Sequence, residues 1–169
     1  MNLLKQLGLA VTGLVMSVTP SLASTSATTV DLLNHLDDNG ITIVYNGPRC
    51  NDGIDGAYQW TGLARRMVLC TNPEGVDAND HNTVRHETIH AIQHCKNTVY
   101  GYPSNTPLMD PAKVVEYARQ ILTFQQINAI KRIYPQEHWL VELEAFAGAE
   151  VLSNADLIEA FNIWCVMDA

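Results

Sequence analysis

The residue pattern predicts an α+β domain, with a small N-terminal β region followed by a helical part. Strand-like runs rich in β-branched and aromatic residues lie before residue 72, whereas the apolar spacing after residue 80 follows a helical period. The chain has 169 residues, 47% hydrophobic and 17% charged, with a mean hydropathy of -0.03. That balance suits one globular core and excludes disorder, collagen-like repeats and a multi-pass membrane protein. Residues 24–169 read as one domain without internal repeat, low-complexity block or linker.

Residues 1–23 read as a secretory signal. Lys5 supplies the positive start, Leu7 to Val18 the apolar stretch, and Pro20-Ser21-Leu22-Ala23 the small-residue cleavage site. The apolar stretch is shorter than the roughly twenty residues a spanning helix needs, so no stable membrane span is expected after cleavage. A secreted or periplasmic location follows. The four cysteines, Cys50, Cys70, Cys95 and Cys165, all lie in the mature part, where an oxidising compartment suggests two disulfides. Of the three pairings, Cys50 with Cys70 and Cys95 with Cys165 is the favoured one, since the first bridge would staple a hairpin region and the second would tie two helices.

The elements follow in order. Val30, Leu32, Leu33 and Leu36 mark a short helix closed by Asn39-Gly40. Ile41 to Tyr45 is the clearest strand, ended by Asn46-Gly47-Pro48. Cys50 to Gly56 is turn-rich, and short strands are expected at Ala57–Trp60 and Arg66–Thr71, followed by a loop over Asn72–Asp80. Asp80 or Asn82 can cap a helix running to about Asn97, and Asp110-Pro111 opens another. Thr123 with Gln126 resembles a capping box, which splits the stretch up to Tyr134 into two helices. Pro135 interrupts; a helix over Gln136–Leu152 and a last one from Ser153 to about Cys165 complete the chain. Trp60, Trp139 and Trp164 are read as core residues.

The formal charge is -8 and the pI about 5.0. Phosphate binding needs clustered cations, which ten scattered Lys and Arg residues do not supply, so no nucleic-acid partner is expected.

The sharpest chemical signal is His86-Glu87-Thr88-Ile89-His90, an HExxH motif on a predicted helix. At about 100° per residue, His90 falls near 40° from His86 and Glu87 near 100°, while Val84, Thr88, Ala91 and Cys95 gather on the opposite side. Two imidazoles and a carboxylate thus share a polar face. His94 lies about 12 Å along the axis from His86, too far to ligate the same ion. A catalytic zinc takes three protein ligands and keeps one position open, so a carboxylate must come from elsewhere.

The segment Val141-Glu142-Leu143-Glu144-Ala145 supplies it. With this segment the chain resembles a zincin metallopeptidase of the gluzincin type, in which HExxH is followed by a helix bearing E-x-x-A. The resemblance covers these two motifs and their order. It implies that His86, His90 and Glu142 bind Zn2+, with Glu144 as the alternative third ligand, and that Glu87 is the general base. Small alanines near Glu142 would let its helix lie close to the HExxH helix. Where several such families place a supporting Asp or Asn after the alanine, this chain has Phe146.

The function so implied is an exported zinc-dependent hydrolysis of peptide bonds, with a peptide or protein as substrate. An oxyanion donor is also required; His138, four residues before Glu142, is one choice, and Tyr100, Tyr102 and Tyr134 are others. The resemblance further implies that the strand near Met67 to Cys70 is the edge on which an extended substrate pairs. The rival reading is a non-catalytic exported binding or structural protein on the same scaffold. Oligomeric state is not legible in the sequence.

Overall fold

The computed structural model describes residues 27–62, 64–71 and 78–166. The signal expected at residues 1–23 lies outside the described residues. The architecture is α+β: six helices and a three-stranded sheet among the described residues.

Helix α1 (Thr29–Asp38) opens with a capping box in which Thr28 and Asp31 satisfy each other's main-chain N–H groups. Strand β1 (Ile41–Tyr45) follows, then a 3-10 turn (Pro48–Asp52), and then β2 (Gly56–Thr61) and β3 (Ala64–Leu69). The strand order is β1-β3-β2, with β1 parallel and β2 antiparallel to β3. This corrects the expectation that the strand near Met67 to Cys70 is an edge. The β2–β3 hairpin folds back so that β3 inserts between its neighbours, and Met67, Val68 and Leu69 are buried. The free edge beside the helices belongs to β2 instead.

Helix α2 (Ala78–Tyr100) is longer than expected. It begins before Asp80 and Asn82, which lie inside it, so neither is its cap. It also runs past Asn97, whose side-chain amide donates to Ser104 O and Thr106 O of the returning chain. Helices α3 (Pro111–Ile121) and α4 (Phe124–Ile133) carry the expected caps, Asp110 and the Thr123–Gln126 box. The helix expected from Gln136 starts later: Gln136–His138 forms a 3-10 turn, and α5 covers Trp139–Val151. Helix α6 (Asn154–Cys165) is opened by Ser153 and Asp156.

One apolar core joins α1, the sheet, α2 and α6 through Leu32, Leu36, Met67, Ile92, Leu157 and Phe161. A second joins α3, α4 and α5 through Val114, Ala118, Ile130 and Leu143. The disulfides are Cys50–Cys70 and Cys95–Cys165; the second ties α2 to α6 across the first core. Trp60 departs from its core reading: it is 44% exposed and stacks on His94 with ring centroids 4.5 Å apart. No helix among the described residues is long and apolar enough to cross a membrane.

Candidate metal centre

The site forms where α2 passes between β2 and α5. Residues four apart share a helical face, and here the Nε2 atoms of His86 and His90 stand 3.0 Å apart. From α5, Glu142 Oε2 approaches them at 3.4 and 3.5 Å. The helices can come this close because Gly148 faces Ile89: a Cβ there would lie 2.6 Å from Ile89 Cδ1. Ala145 and Ala149 are buried on the same helix, as its small-residue composition suggested.

His86, His90 and Glu142 make the one group among the described residues whose ligand atoms gather closely enough to hold a metal ion. Neighbouring ligand atoms around a tetrahedral ion with bonds of about 2.0–2.1 Å stand about 3.3 Å apart. The observed separations of 3.0, 3.4 and 3.5 Å bracket that value. Glu142 Oε2 is buried and makes no hydrogen bond among the described residues, leaving a desolvated oxygen aimed between two imidazoles. Such an atom is costly unless a cation or donor compensates it. The donor set fits a metal on these grounds.

The electrostatics agree. Burial works against a charged Glu142, but contacts from His86 and His90 outweigh it and hold the carboxyl at about 2. Burial also works against a charged His90, yet its contact with Glu142, the charge of Glu87 and its bond to Gln93 raise it to about 9.

Glu87 is buried next to the cluster, and its Oε2 accepts the main-chain N–H of Tyr58 at 2.6 Å. Strand β2 lies this near α2 because Gly56 has no side chain: a Cβ there would fall 3.3 Å from Glu87 Cγ and 2.5 Å from Thr83 Cγ2. The carboxylate is thereby held between the HExxH helix and the sheet edge.

The other sequence-selected residues divide. Glu144 is buried but points elsewhere, accepting from Gln93 Nε2 at 2.8 Å, Leu108 N at 2.7 Å and Met109 N at 2.8 Å. His94 accepts or donates at Tyr58 Oη, 2.8 Å away, and lies outside the ligand group. His138 is exposed in the 3-10 turn. It stands directly before Trp139, where α5 begins. Tyr100 and Tyr102 stack on one another, both exposed, where α2 ends. Tyr134 is different: burial, then the charges of Glu142 and Glu87, hold its hydroxyl proton well above the ordinary phenol range. Its ring lies edge to face with Phe146, centroids 6.3 Å apart.

Two residues escaped the sequence reading. Gln93 Oε1 meets His90 Nδ1 at 2.7 Å, a contact that its position one turn after His90 could have suggested. Tyr58 had no local signal, since its role depends on strand order. Phe146 packs edge to face on His86, with centroids 4.3 Å apart, where the resemblance led to a polar partner. Comparison of the chain with protein-family models, curated proteins and solved structures gave no match.

Proposed function

We propose that this protein is an exported zinc-dependent metallopeptidase of the zincin class. The observation that carries the reading is the convergence of His86, His90 and Glu142 beside a buried Glu87 that is not one of the three. A purely structural zinc site usually closes with a fourth protein ligand and has no use for an adjacent base. Two disulfides fit an oxidising compartment.

Zinc held by these three residues supplies a Lewis acid that polarises a carbonyl and makes water acidic enough to react near neutral pH. Glu87 takes the proton from water as its oxygen adds to the peptide carbonyl carbon. It then passes that proton to the leaving nitrogen as the C–N bond breaks. The Tyr58 N–H on Oε2 orients the carboxylate. Tyr134, its hydroxyl kept protonated by burial and by Glu142 and Glu87, is the donor to the developing oxyanion, a role taken over from His138.

Substrate pairing is assigned to β2. In its register with β3, Tyr58 turns its main-chain N–H toward Glu87 and away from the ladder. An extended peptide laid along that edge would add a strand beside the base. Incubation with casein, followed by mass spectrometry, tests the function. Cleavage that stops on chelation and returns with zinc supports it; zinc binding without cleavage of casein or a mixed peptide library favours the non-catalytic binding protein.

A further inference from the structure

We infer that Gln93 is a positioning residue for the metal ligand His90, and that through Glu144 it ties this ligand to the segment between α2 and α3. The inference rests on the metal centre proposed above.

Gln93 is only 2% exposed, so its amide must be satisfied within the protein. Its Nε2 lies 3.1 Å from Val141 O and 2.8 Å from Glu144 Oε2. A main-chain carbonyl only accepts, which fixes the NH2 group on that side and turns Oε1 toward His90 Nδ1. An amide oxygen also only accepts, so the hydrogen sits on His90 Nδ1. In the neutral ring the lone pair is then on Nε2, the atom that faces His86 and Glu142. Glu144 continues the chain by accepting the N–H groups of Leu108 and Met109. The ring orientation of His90 therefore depends on main-chain donors outside both helices of the site.

His86 supplies the contrast. Its Nδ1 is buried without a hydrogen-bond partner among the described residues, and its ring is held by packing against Phe146. One histidine is aimed by directed hydrogen bonds and the other by shape, so removing Gln93 should disturb the aim of His90 and not that of His86.

Zinc affinity of the full mature chain, measured by competition with a chromogenic chelator, tests this. Gln93→Leu should weaken zinc by about 10- to 100-fold, the usual cost of losing a group that orients a ligand. A merely structural Gln93 would lower the melting temperature and leave the affinity of the folded protein unchanged; that result overturns the inference. Long-range 1H–15N spectra of zinc-loaded wild type need no variant to fold: His90 should bind through Nε2 and show a slowly exchanging Nδ1–H. Binding through Nδ1 also overturns it. Wild type that takes up no zinc sinks the metal centre and this inference together, whereas wild-type binding with an unaffected Gln93→Leu sinks this inference alone.

Discussion

Tyr58 donates its main-chain N–H to Glu87 Oε2 at 2.6 Å, joining the free edge of the sheet to the helix that carries both site histidines. The contact depends on a glycine two residues earlier in the strand. A methyl at Gly56 would meet Thr83 Cγ2 at 2.5 Å and Val68 O at 3.2 Å, the second being backbone that cannot swing aside. Gly56→Ala should therefore lift β2 from α2. Thermal unfolding should show a loss of about 1–3 kcal/mol, typical of overpacking. Peptide hydrolysis should fall while zinc content stays near one per chain. An unchanged melting temperature and activity would remove β2 from the account.

The third ligand is decided by comparing two glutamates. Glu142→Ala takes away the oxygen that faces both imidazoles and should weaken zinc by several kcal/mol, in keeping with the large binding energies of zinc sites. Glu144→Ala leaves the ligands in place but strips acceptors from Gln93, Leu108 and Met109. Its main effect should be lost stability, about 1–3 kcal/mol for each buried donor left unpaired, with a smaller loss of zinc. Competition titrations that rank the two in reverse would transfer the role to Glu144.

Zinc binding should depend on pH with a definite sign. In the metal-free protein His90 is raised to about 9, so at pH 7 it holds a proton that zinc must displace. Apparent affinity should rise by about tenfold per pH unit between roughly 7 and 8.5 and flatten above 9, as expected when one proton leaves on binding. Stability of the metal-free protein should move the other way. The His90 contribution is complete below its unfolded value near 6.5 and disappears as pH rises through 9. The Glu142 contribution is present above its unfolded value of 4.5 and disappears as pH falls through about 2. Melting in the presence of chelator should thus show this cluster contributing most between about pH 4.5 and 6.5.

The two disulfides should differ in weight. Cys95–Cys165 closes a separation of 70 residues and Cys50–Cys70 one of 20. Loop entropy makes the longer one worth about 1 kcal/mol more, within a typical 2–4 kcal/mol for each bridge. Denaturant unfolding of Cys95→Ala/Cys165→Ala against Cys50→Ala/Cys70→Ala tests the ranking, and equal losses would assign the effect to native packing.

What was legible in the sequence was local. The capping boxes Thr123–Gln126 and Ser153–Asp156 announce their helices because each is a short-range exchange of hydrogen bonds. The approach of His86 to His90 follows from helical repeat alone, and Glu142 was reached by resemblance. What could not be read needed tertiary neighbours. The central place of β3 follows from where the hairpin docks, and nothing within Arg66–Thr71 distinguishes centre from edge. Trp60 resembles a core residue until its strand is known to end in solvent above His94. Glu144 stayed open as the alternative to Glu142 because two residues on a helix differ by about 200° in direction, and only the neighbours tell which way is inward.

The central claim is that Glu87 is a working base beside a metal centre. Glu87→Gln keeps the side-chain shape and an oxygen for the Tyr58 N–H, yet removes the basicity. The decisive measurement is the rate of casein cleavage by zinc-loaded Glu87→Gln relative to wild type, with zinc content determined on the same samples. The account predicts near-equal zinc and a rate lower by at least about a hundredfold, the scale of lost general-base catalysis. Cleavage by Glu87→Gln at the wild-type rate, with zinc bound, would contradict it.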